Sequence, residues 1–118
     1  MNKPAVYRVV IDEMVRVCCE DQGQIGPNRA RAGVWHRDAT PDFLPEQRAI
    51  NALLQRLSAE EREVLAGVLA HQVELGMFEA LKVLEQYQVP PFGDGYEGSP
   101  CNDFIGRMSG DWDWPEDA

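Results

Sequence analysis

Apolar residues open the chain at a helical interval. Val6, Val10, Met14 and Val17 recur every three or four positions, and Val9 and Cys18 widen the stripe. Pro4 suits a first helical turn, where its missing N–H has no partner to lose. The β-branched content would by itself permit a strand, but length and spacing decide for a helix from Pro4 to about Glu20. Gly23 and the Gly26-Pro27 pair are expected to end it.

Residues 21–40 lose the period. They read as a loop punctuated by glycine and proline, with Val34 and Trp35 as its anchors into the core. A second helix starts at Thr40-Pro41-Asp42 or at Pro45. Ile50, Leu53, Leu54 and Leu57 supply its i, i+3, i+4, i+7 face, and Arg48, Asn51, Gln55 and Arg56 fall off that stripe. Ser58-Ala59-Glu60-Glu61 is a capping box opening a third helix. Val64, Leu65, Val68, Leu69 and Leu75 are expected to face inward, and the pattern persists through Phe78, Leu81, Leu84 and Tyr87 to Pro90-Pro91. Unbroken, that helix would be about 45 Å long. A compact chain of this size is only about 35 Å across. A break near Gly76 would resolve the mismatch.

The segment from residue 90 onward is rich in glycine and proline. It nevertheless carries Phe92, Tyr96, Phe104, Ile105, Met108, Trp112 and Trp114, too many large apolar groups for a solvated tail. The expected architecture is therefore all-α. Three or four helices over residues 1–89 form one core, and an ordered, irregular segment over 90–118 packs across them, with one short helical turn near Asp103 to Met108. The 118 residues suit a single domain.

Charge divides the chain. Residues 1–57 hold eight basic and seven acidic side chains, and residues 58–118 hold three basic and thirteen acidic. The second half repels phosphate backbones, so nucleic acid is not an expected partner, whereas a basic protein surface is. No apolar run reaches the roughly 20 residues of a bilayer span, and the N-terminus lacks the pattern of a signal peptide. A cytoplasmic location away from membranes is the expectation. Cys18, Cys19 and Cys101 have no disulfide spacing and read as buried reduced thiols.

No nucleophile elbow, P-loop or dinucleotide fingerprint is present, so no catalytic residue and no cofactor are expected. His71 and Glu74 form an H-x-x-E pair of the kind that bundle metal sites use, but such sites draw further ligands from other helices. A structural histidine is the preferred reading. Arg29, Arg31 and Arg37 invite an anion, yet pairing with the chain's own acidic tail is simpler. Trp112 and Trp114 alternate with Asp111 and Asp113. An extended strand would put both rings on one face, either as a latch onto the core or, with Tyr96 and Glu97, as an acid-flanked edge for a partner. The latch is preferred.

The runs Pro91-Phe92-Gly93-Asp94-Gly95-Tyr96-Glu97-Gly98-Ser99-Pro100, Asp103-Phe104-Ile105-Gly106-Arg107 and Trp112-Asp113-Trp114-Pro115 resemble the C-terminal signature of a family of small bacterial proteins with no assigned function. That resemblance covers about a quarter of the chain and implies no activity. Acidic helical composition is also similar to that of immunity proteins in toxin systems. The leading expectation is a non-enzymatic interaction protein, an antidote or a regulatory subunit. The alternatives are a small metal- or ligand-binding domain and a homo-oligomer.

Overall fold

The computed structural model describes residues 3–110 and 113–115. Five helices follow in order: α1 (Ala5–Glu20), α2 (Gln22–Ala32), α3 (Pro45–Arg56), α4 (Ala59–Gln86) and α5 (Pro100–Ser109). No strand occurs among the described residues, and the fold is all-α.

The long helix α4 is the axis of the molecule. Both halves of its capping box form: the Glu61 N–H donates to Ser58 Oγ at 3.1 Å, and the Ser58 N–H donates to Glu61 Oε1 at 2.8 Å. The helix then runs without interruption for 28 residues. The expected break near Gly76 is absent, because the premise of a compact globule fails. The molecule measures 56 × 27 × 18 Å, with a radius of gyration of 18.0 Å, against about 13 Å for a compact chain of this length. A Cβ at Gly76 would meet no neighbour, so nothing there turns the chain aside.

Two small cores, one at each end of α4, replace the single expected one. Tyr7, Ile11 and Cys18 of α1 join Leu81, Cys101, Phe104 and Trp114 in the first. Ala30, Leu54 and Ala66 form the second, with Trp35, Ile50, Leu57, Leu65 and Leu69 packed around them. The buried stripe of α1 is thus offset by one residue from Val6, Val10 and Val17. Val6 and Val9 stay exposed. On α4, Leu65 and Leu69 face the core, but Val64, Val68 and Leu75 do not.

Helix α2 stands where a loop is expected. Its buried residues Gly23, Pro27 and Ala30 are spaced i, i+4, i+7, a face of small residues that lets helices approach closely. A Cβ on Gly23 would lie 2.8 Å from the Cys18 backbone, so glycine is required at the α1–α2 junction. Packing of this face outweighs the poor local propensity of Gly and Pro. Gly33 closes α2 in the left-handed conformation, φ 78°, and donates to the carbonyls of Arg29 and Ala30. The segment beyond it is held by two polar residues of α3. Asn51 Oδ1 accepts from the N–H groups of Trp35 (2.6 Å) and His36 (3.0 Å), while Gln55 Nε2 donates to the Gly33 carbonyl at 2.5 Å.

Because Gly76 sits in an open, continuous helix, Gly76→Ala should stabilise the fold by about 0.5–1 kcal/mol. A urea melt checks this. The midpoint should rise with the slope unchanged; a fall would mean that the glycine is conformationally needed.

Candidate interaction surface

The C-terminal segment is built around one carboxylate. Asp103 is 0% exposed. It accepts from the Tyr7 hydroxyl, from the Tyr96 N–H at 2.8 Å and from the Glu97 N–H at 2.8 Å. Gly95 makes the approach possible, since a Cβ there would lie 2.5 Å from the Ser99 carbonyl group and 2.7 Å from Asp103 Oδ2. Ser99 caps α5 by accepting from the Asn102 N–H. Burial first, and then the hydrogen bond to Asp103, hold the Tyr7 hydroxyl far above its ordinary pKa, so it stays a neutral donor. The tail is more regular than expected, because α5 runs for ten residues rather than a single turn.

A second polar link lies beside the first. Asp12 of α1 accepts from Arg107 Nε at 2.9 Å and from Trp114 Nε1 at 2.8 Å. The Arg107 guanidinium lies over the Trp114 ring, 5.3 Å from its centroid. Trp114 is 2% exposed and meets Tyr7 and Tyr96 edge to face, with centroids at 5.9 and 5.5 Å. Its ring packs as a latch against α1 and the tail, and an edge of it lines an open cleft with Arg8, Asp12 and Arg16. Tyr96 is half-buried in the same cluster. Glu97 and Asp113 reach solvent, with Asp113 3.5 Å from Arg107. Asp111 and Trp112 lie outside the described residues.

The remaining candidates are dispersed. Arg31 pairs with Glu63 of α4 at 2.9 Å, whereas among the described tail acids Asp94 pairs with Lys3 and Asp113 with Arg107. Arg29 lies over the Trp35 ring and, with His36 and Arg37, lines an open cleft of about 430 Å³. His71 and Glu74 are 3.7 Å apart on α4, and no group of three metal-ligating side chains gathers among the described residues. Cys18 and Cys101 are buried free thiols, whereas Cys19 is exposed; burial raises the thiol pKa of Cys18 and Cys19.

What the sequence reading missed is the outer face of α4. Val64, Val68, His71 and Leu75 follow at intervals of four, three and four residues, the spacing of a coiled-coil seam, and the stripe runs on to Lys82 through Phe78, which is half-buried against the first core. Val64 is 69% exposed, Val68 51% and Leu75 39%. Helix α4 also holds a window of mean hydropathy 1.3, apolar enough by length and composition to cross a membrane, of which 11% is buried. The signal was legible as a helix apolar all round, a pattern that one packed face cannot account for.

The family of unknown function DUF6547 matches residues 1–116, and the chain belongs to it. No curated protein and no solved structure matches the chain.

Two outcomes follow from the interlock. Above pH 10 the unfolded state loses a tyrosine proton that folded Tyr7 keeps. Stability should be insensitive to this group below pH 10 and fall by about 1.4 kcal/mol per pH unit above it. Alkaline denaturation of the wild type and Tyr7→Phe measures the difference; parallel curves would reject the assignment. Trp114→Ala, or truncation after Gly110, should cost about 3–5 kcal/mol. An unchanged thermal melt would show that the ring is not a latch.

Proposed function

We propose that this member of DUF6547 works as a non-enzymatic interaction protein, and that the outer face of α4 is its contact surface. The carrying observation is the exposed seam Val64–Val68–Leu75, framed by His71 and Lys82, on a helix whose opposite face already packs into both cores. Solvent-exposed apolar groups that recur in register on one rigid element mark recognition sites rather than chance exposure. Glu60, Glu61, Glu74 and Glu79 flank the seam and disfavour nucleic acid there. The tail supports this role indirectly. Its aromatic residues hold α1 and α5 against the C-terminal half of α4 and so keep the helix straight and exposed.

Photo-crosslinking tests the reading. The photoreactive residue p-benzoylphenylalanine placed at Val68 in cells should give a covalent protein adduct. The same residue at exposed Glu46 of α3 should not. Absence of any adduct at Val68 would reject the surface.

A further inference from the structure

We propose that the occupant of the α4 seam is a second copy of this chain, packed antiparallel across a two-fold axis at His71; this rests on the reading above. Three observations converge on it.

The first is self-complementarity. In an antiparallel pair centred on residue 71, each position n comes level with position 142 − n of the other copy, an arithmetic consequence of the centre. Val64 then comes level with Phe78, whose ring also packs against the first core, Val68 comes level with Glu74, and His71 meets its own equivalent. Leu75 comes level with Gly67. It enters the hole framed by Val64, Gly67, Val68 and His71, the i, i+3, i+4, i+7 set that receives a coiled-coil knob. Gly67 supplies the space, since a Cβ there meets nothing within 4 Å. A large residue thus faces a missing side chain, and the symmetry makes the fit occur twice, as an isologous interface demands.

The second is charge. Lys82 comes level with Glu60 of the other copy and beside Glu61. Lys82 also lies 3.7 Å from Glu79 of its own chain, so it bridges carboxylates of both copies at each end, where Glu79 comes level with Glu63. A parallel arrangement would instead set Lys82 against Lys82.

The third is surface. The chain exposes 7396 Å² at a mass of 13.3 kDa. A compact monomer of that mass exposes about 6,500 Å². The excess of about 900 Å² is close to the roughly 800 Å² that one partner contributes to a stable interface.

Sedimentation velocity on the full chain is the primary measurement, with the expected result a species of twice the 13.3 kDa chain mass. Gly67→Gln and Gly76→Gln form a matched pair. Both sit in open helix, and both replace glycine by a better helix former. Only Gly67 borders the seam, so Gly67→Gln should weaken dimerisation at least tenfold while Gly76→Gln leaves it unchanged. Circular dichroism should show both folded. In a Cys19→Ser background, His71→Cys should be joined to its equivalent by a short bis-maleimide. Val64→Cys should not, because its two copies would stand about 21 Å apart at 1.5 Å per residue. A monomer of wild type at all concentrations overturns the proposal. So does crosslinking at Val64→Cys in place of His71→Cys, or equal weakening by both glutamine variants. A Val68 photo-adduct with a different protein, or flotation of a monomer with phosphatidylglycerol vesicles, would also overturn the second copy while leaving α4 as the contact surface.

Discussion

Asp103 is where the ends of the chain meet. A carboxylate with no exposed surface must have its charge satisfied by the protein itself, because water cannot reach it. Three donors do so, from two places: a side chain at the start of α1 and two adjacent backbone amides of the loop before α5. None of these placements is independent of the others. Tyr7 reaches the carboxylate only if α1 lies against α5, and the two amides converge only if the loop curls over Gly95. The aromatic cluster of Tyr7, Phe92, Tyr96 and Trp114 then closes around the pair. Among the described residues no buried side-chain polar atom is left without a partner, so this polar centre stabilises the fold without an unpaired group.

The consequences propagate along α4. With α1, α5 and the tail gathered at its C-terminal half, α2 and α3 have only the N-terminal half on which to pack. Each cluster is small, and neither wraps the helix. The spine therefore remains open along one side, and its glycines stay free of neighbours. The elongated shape is the result of dividing one chain's apolar residues between two ends of a rod. A single globular core would have needed the rod to fold back on itself.

That division gives the α4 face its significance. In a compact bundle, Val64, Val68 and Leu75 would be ordinary core residues. Here they are stranded on the outside by the straightness of the helix that carries them. The family carries no assigned activity, so the proposed function rests on this surface and on the acids that flank it.

The sequence by itself determined several features that depend on near neighbours, although the length of α5, framed by Ser99 and Gly110, exceeds the single turn expected. The capping box of α4, the helical period of α1 and α3 and the left-out loop residues are set by contacts within a few positions. The ordered tail was also legible, because its aromatic content exceeds what solvent tolerates. Residues 21–40 were misread because Gly23 and Pro27 break helices locally, and only packing of the small face of α2 reverses that preference. The stripe of α1 was read one residue off because its apolar residues nearly encircle the helix, and the hydroxyl of Tyr7, seeking Asp103 ninety-six positions away, selects the buried side. Asn51 and Gln55 looked like solvent-facing polar residues until the loop they hold was in place. The course of α4 through Gly76 was likewise undetermined by its own residues. A glycine lowers helix stability everywhere but ends a helix only where something pulls the chain away, and whether anything does is a property of the assembled fold.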